Sequence, residues 1–194
     1  GTDTGGSVRA PASFTGTVGF KPTYGAISRY GLIAYANSLE GVGLLTKSVR
    51  DAELIFKLIV GKDQLDSTSL DIKFNNVKPR GKISLAVVKS LFSGVASEVN
   101  QSFESSISKL EQNNFIIYLP TMPVLPWKIG DKLDDPISIY LSDALTVTPN
   151  LAGLPAISIP IGEKHGLPVG GQLIGKYEND SELLTIALRA ESAM

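Results

Sequence analysis

The stretch GTDTGGSVRAPASFTGTVGFKPT, residues 1–23, decides how the chain is to be read. Two glycines, Gly5 and Gly6, stand directly before Ser7. Glycine reaches backbone conformations closed to other residues, so such a pair lets successive N–H groups converge on one point and bind an anion. A serine ending that turn carries its hydroxyl beside the donors. Acyl transfer needs both parts: a nucleophile, and donors for the charge that develops on the carbonyl oxygen. Val8, Pro11, Phe14, Val18 and Phe20 are interleaved with the small polar residues. A flexible linker would not carry them, so residues 1–20 read as a packed site loop.

Two other chemistries fit the loop poorly. A phosphate-binding loop ends in Gly-Lys-Ser/Thr, and this one does not. Asp3-Thr4-Gly5 matches the short motif of aspartic proteases, but that chemistry needs a second carboxylate from a matching copy, and the chain has none. A glycine-rich turn without chemistry stays open from the loop alone. Asp3 and Arg9 flank the turn and read as a buried pair, or as hydrogen bonds that hold it.

Moving outward, Ser48 to Gly61 reads as a helix. Ser48 is its N-cap, Asp51 sits at N3, and Ala52, Leu54, Ile55, Leu58 and Ile59 form an apolar stripe. Asp63 to Lys78 is polar and reads as a surface loop. Lys82 to Val88 is a strand candidate, Ser97 to Gln112 an amphipathic helix, and Phe115 to Leu119 a second strand. That order predicts a βαβ unit. Thr121 to Pro136 is proline-rich loop, with Trp127 as its anchor. Pro155 to Ile161 and Val169 to Ile174 are strand-like and would be joined as a hairpin. Ser181 to Met194 closes as a helix, apolar at Leu183, Leu184, Ala187, Leu188 and Ala190.

The 194 residues are 43% hydrophobic, enough for one sizeable core, so residues 1–194 are expected to form a single domain. A net charge of −1 leaves no broad basic surface for nucleic acid. The chain has no cysteine, which excludes thiol catalysis, disulfides and cysteine-based zinc sites. Its one histidine, His165, lies in Gly162-Glu163-Lys164-His165-Gly166, which reads as a turn. A Ser-His-Asp triad would have to use it, so a lysine is the expected base. No apolar run is long enough to span a bilayer. The chain opens in a glycine-rich loop of the kind that follows a strand, without an initiator methionine, and its start is expected to be a truncation.

Residues 1–23 closely resemble the amidase signature. The resemblance implies that Ser7 is the nucleophile and that the backbone N–H groups of Thr4, Gly5 and Gly6, with that of Ser7 itself, form the oxyanion hole. It extends through Tyr24–Leu32, Asp135–Asp143 and Asn150–Pro155. There the chain resembles the A-type subunits of tRNA-dependent amidotransferases, specific for Glu-tRNA(Gln) or Asp-tRNA(Asn). Gly166–Gly170 and Gln172–Gly175 resemble amidases more widely. The implied fold is α/β, with a mixed, largely parallel central sheet covered by helices. The implied activity is hydrolysis of glutamine, releasing ammonia that converts Glu-tRNA(Gln) to Gln-tRNA(Gln). Asp143 aligns with the aspartate that binds the substrate's α-amino group. The resemblance further implies no cofactor and no metal in this chain, ATP and Mg being used by the partner. The implied partners are a B-type subunit, together with a small third, C-type one. It also implies tRNA contacted mainly through the partner, no membrane, and a cytoplasmic or mitochondrial location. A stand-alone amidase acting on small or acyl amides, and a non-catalytic scaffold subunit, are the alternatives.

The chain also departs from the family pattern. The family's catalytic set is Ser-Ser-Lys, and its lysine and bridging serine lie upstream of the signature, outside this sequence. The lysines present sit in segments that read as exposed, so none is assigned as base, and residues 1–194 alone are expected to be inactive. A long, mostly helical region of the family is missing between Leu119 and Thr121, and the glutamine-binding arginine and tyrosine would fall there. Gly41 stands where glutamine is usual, Leu44 where proline is usual, and Gly171 where leucine is common. Tyr24, Arg29 and Tyr30 are expected to pack.

Overall fold

The computed structural model describes residues 1–75, 77, 83–109, 113–131, 139 and 141–194. Its strands are β1 (Thr2–Asp3), β2 (Val18–Lys21), β3 (Gly41–Val42), β4 (Leu44–Thr46), β5 (Ile83–Val87), β6 (Asn113–Pro120), β7 (Ala156–Lys164) and β8 (Leu167–Ile174). Its helices are α1 (Arg9–Thr15), α2 (Val49–Ile59), α3 (Ser97–Lys109), α4 (Val147–Leu151) and α5 (Asp180–Ala193). Six strands form one sheet in the order β4-β2-β7-β8-β6-β5, and β1 pairs with β3 in a separate ribbon.

The sheet is mixed and flanked by helices, as expected, but the expectation that it runs largely parallel is corrected. Among the described residues only β5 and β6 pair in parallel, joined by the crossover helix α3 as the βαβ reading required. The pairs β2–β4, β2–β7, β7–β8 and β6–β8 are antiparallel. The physical reason is connectivity: a tight hairpin returns the chain antiparallel, and β8 of such a hairpin inserts between β7 and β6. That hairpin turns at His165 and Gly166, with φ of 54° and 72°. Positive φ at both central residues matches the right-handed twist of the flanking strands. His165 is exposed at this tip.

Residues 1–23 contain more regular structure than a loop. Pro11 falls in the first turn of α1, where a missing N–H costs no helical hydrogen bond. Gly16 ends the helix in the left-handed conformation, at φ 65°. Ser48 caps α2 as expected, its hydroxyl accepting from the Asp51 N–H at 3.1 Å. The buried face of α2 differs from the expected stripe. Val49, Ala52 and Phe56 face inward, and the Phe56 ring meets that of Phe20 edge-on at 5.2 Å. Leu54, Ile55, Leu58 and Ile59 are exposed. The expected ends of the first βαβ strand and of its helix, Lys82 and residues 110–112, lie outside the described residues, as do residues 132–136 of the proline-rich loop.

Alternation along β7 sorts the two faces of the sheet. Ile157 and Ile159 join Phe56, Phe103, Leu183 and Leu184 in the main core, under α2, α3 and α5. Ser158 points the other way, toward Thr121 at 2.7 Å and the face over which α1 lies. Burying each large apolar side chain stabilises by about 1.5–3 kcal/mol, and this core leaves α1 and the turn before it fixed on the opposite face. Among the described residues no helix is long and apolar enough to cross a membrane.

Candidate active site

The turn between β1 and α1 is built around Asp3, which is fully buried. Asp3 Oδ1 accepts the Gly6 N–H at 2.8 Å, and Oδ2 accepts those of Val8 at 3.2 Å and Arg9 at 3.4 Å. The Arg9 guanidinium, also fully buried, donates to both oxygens, from Nε at 3.0 Å and Nη2 at 2.9 Å. Burial works against the Asp3 charge. Arg9 and the hydrogen bonds from Arg9 and Asn150 outweigh it and hold the carboxyl at about 2. The expected buried Asp3–Arg9 pair is therefore present.

Two residues from distant segments complete the cradle. Asn150, on α4, donates from Nδ2 to Asp3 O at 2.8 Å and Oδ1 at 2.9 Å, and accepts from Arg9 Nη2. Gln172, on β8, accepts from Arg9 Nη1 and donates to the Leu145 carbonyl at 2.9 Å. Every polar group of the buried ion pair thus meets a partner, the condition for tolerating charges away from water.

Ser7 stands outside this network and is exposed. Among the described residues, the N–H groups of Thr4, Gly5 and Ser7 meet no acceptor. The Gly6 N–H differs: the Asp3 carboxylate engages it. Gly6 has φ 131°, and a Cβ there would lie 2.3 Å from Thr146 Oγ1, so only glycine fits.

Asp143 comes to the same turn. Its carbonyl accepts from the N–H groups of Thr146 at 3.0 Å and Val147 at 3.1 Å, and Thr146 Oγ1 reaches Gly5 O at 2.7 Å. The Asp143 carboxyl is half-exposed, and its pKa is raised by partial burial and by the nearby Asp3 charge, against the pull of Arg9. Trp127 anchors its loop as expected, edge-on to Phe14 of α1 at 4.9 Å. Arg29 stacks over the Tyr24 ring at 4.5 Å, whereas Tyr30 is exposed and does not pack.

One lysine contradicts the expectation of exposure. Lys21, at the end of β2, is 2% exposed, and its Nζ donates to the Pro22 carbonyl at 2.9 Å. Burial, with Arg9 nearby, lowers its pKa to about 8, although Asp3 and Asp180 favour the charged form. No local sequence signal marks this burial, because the two carboxylates lie 18 residues before Lys21 and 159 after it. Asp180 is itself buried and accepts from Thr23 N at 2.7 Å and Thr23 Oγ1 at 2.6 Å, tying α5 to the end of the signature.

An accessible serine hydroxyl, unengaged backbone donors and a rigid buried ion pair behind them define a site suited to acyl transfer. A sequence model of the Amidase family matches residues 1–118 and 115–184, and the chain belongs to that family. It is similar to the A-type subunit of glutamyl-tRNA(Gln) amidotransferase from Trichormus variabilis, 30% identical over an alignment of 308 positions that covers 100% of this chain and 63% of that protein. The protein of the same name from Prochlorococcus marinus is 31% identical over 306, covering 100% and 63%. The crystal structure of its namesake from Thermotoga maritima superposes with a TM-score of 0.89 at 30% identity, over 98% of this chain and 60% of that one. The chain therefore spans less than two thirds of the length of these relatives.

Proposed function

We propose that this chain carries the nucleophile of a glutamine-hydrolysing subunit of a tRNA-dependent amidotransferase. Ser7 Oγ attacks the side-chain amide carbon of glutamine while the N–H groups of Thr4, Gly5 and Ser7 stabilise the oxyanion. The hydroxyl proton passes to the base and on to the leaving nitrogen, and ammonia departs. Water then cleaves the glutamyl ester to give glutamate and restores the serine. Asp143 receives the α-amino group of the substrate, a charge-assisted contact that selects glutamine over simple amides.

The observation that carries this reading is the exposed Ser7 on a turn whose neighbouring donors are unengaged and whose frame is the buried Asp3–Arg9 pair. The names of the relatives support an amidotransferase subunit. Lys21 is not the base in this scheme: its ammonium is held by the Pro22 carbonyl. The base and bridging serine come from the part of the relatives that this chain does not span. A B-type subunit using ATP and Mg, with a small third subunit, receives the ammonia and engages tRNA. The alignment with relatives runs over 308 positions against 194 residues here, which supports the absence of a family segment near Pro120.

The test is glutamate release from glutamine by the full-length polypeptide assembled with its partners. Turnover that disappears in Ser7→Ala is the expected result. Unchanged turnover in that variant, or hydrolysis of simple amides with none of glutamine, overturns the reading.

A further inference from the structure

The peptide unit between Gly5 and Gly6 is gripped at both ends. Its carbonyl accepts from Thr146 Oγ1 at 2.7 Å, and its N–H donates to Asp3 Oδ1 at 2.8 Å. A peptide flanked by two glycines rotates more easily than any other, because neither neighbour has a side chain to resist. Rotation here would set the carbonyl oxygen against the Asp3 carboxylate and break both bonds. It would also reorient the adjoining units, which carry the Gly5 and Ser7 N–H groups.

The Thr146 hydroxyl has one proton and two oxygens in reach, Gly5 O at 2.7 Å and Asp143 O at 3.1 Å. Asp143 O already receives two backbone N–H groups, those of Thr146 and Val147. The shorter contact therefore takes the proton. Thr146 is fully buried, so water does not compete for it. The same residue is anchored on the turn that bears Asp143, which links that turn to the donors around Ser7.

We infer that Thr146 is a positioning residue for acyl transfer: its hydroxyl, opposite Asp3, locks the Gly5–Gly6 peptide so that the adjoining N–H groups stay available to the oxyanion. This rests on the proposed role of Ser7. Thr146 touches no reacting atom, and its effect passes through the backbone it holds.

The experiment compares Thr146→Val, which keeps the shape and removes the hydroxyl, with Thr146→Ser, which keeps the hydroxyl. Both are made in the full-length protein with its partners, and the thermal midpoint of each is recorded. Thr146→Ala replaces the valine variant should the latter disturb folding, since it adds no bulk. Removing one direct oxyanion donor costs on the order of 100-fold or more in kcat, so losing a positioning bond is expected to cost roughly 10-fold to 100-fold. KM for glutamine should stay within about twofold, because ground-state binding is untouched. Thr146→Ser should recover most of the rate. Wild-type turnover in the hydroxyl-free variant, a change confined to KM, or failure of serine to rescue overturns the inference.

A second readout separates this from the identity of the substrate. A fluorophosphonate labels an activated serine whatever amide the enzyme prefers. Slower labelling of Ser7 without the Thr146 hydroxyl supports the inference even if glutamine is not the substrate. Equal labelling of wild type and variant overturns it.

Discussion

The side chain of Asn150 closes the glycine turn around Asp3 from 147 residues away, using both halves of its amide. Its nitrogen donates to the Asp3 carbonyl and carboxylate, while its oxygen accepts from Arg9. Asn150→Asp keeps the size and reverses the nitrogen's role, placing an acceptor against the Asp3 carboxylate. Breaking a buried ionic network by removing one partner costs about 3–5 kcal/mol. Asn150→Asp is expected to lose stability in that range at neutral pH. Urea unfolding measures it, and a midpoint equal to that of wild type would show that the amide contributes nothing.

Lys21 makes stability depend on alkaline pH. Its pKa falls from 10.5 to about 8 on folding, because burial disfavours the charge. Below pH 8 both states hold the proton, and between 8 and 10.5 only the unfolded chain does. Stability therefore rises with pH through that window, by about 3 kcal/mol if the remainder of the fold does not titrate. In Lys21→Met this rise should vanish. Unfolding free energies of both proteins, measured at several pH values across that window and just below it, check the expectation.

Gly5 and Gly6 are adjacent but not equivalent. A Cβ at Gly5 would come no closer than 4.0 Å to Val147, whereas at Gly6 it would lie 2.3 Å from Thr146 Oγ1, on a backbone at φ 131°. Gly5→Ala should fold with a stability close to wild type. Gly6→Ala should lose at least about 2 kcal/mol through strain and clash, together with fluorophosphonate labelling of Ser7. Equal unfolding midpoints for the two variants would contradict the geometry.

The glycine at 171 has a steric explanation. A Cβ there would meet Ile161 Cγ2 and Tyr118 Oη, each at 2.7 Å. Tyr118 is buried, its hydroxyl 2.6 Å from Ser106 Oγ. Gly171→Ala should cost about 1–3 kcal/mol by overpacking. Tyr118→Phe alone should cost about 1–2 kcal/mol, since Ser106 loses a partner. Combined, the two should cost less than their sum, because removing the hydroxyl makes room for the methyl group. Strict additivity in a double-mutant cycle would rule out that coupling.

What is legible in the sequence is local. The glycine turn, the Ser48 cap and the hairpin at His165 each depend on residues a few positions apart, the βαβ unit on three successive elements, and each is present. Strand direction across the rest of the sheet depends on which strands become neighbours, and no short pattern encodes that. The inward face of α2 is ambiguous in the sequence because the helix has apolar residues on two sides, and packing against β4, α5 and the Phe20 ring decides which is buried. The burial of Lys21, and the engagement of the Gly6 N–H by Asp3, follow from contacts between distant segments or from loop geometry that composition does not carry.

The closure of the Ser7 turn by Asn150 and Gln172 has a temporal consequence. Loop closure over such separations is entropically slow, and contacts of this range form late in folding. As the chain leaves the ribosome, Ser7 emerges long before the residues that shape its surroundings. The hydrogen-bonded frame of Asp3 and Arg9 is therefore complete only once α4 and β8 have been synthesised and have docked.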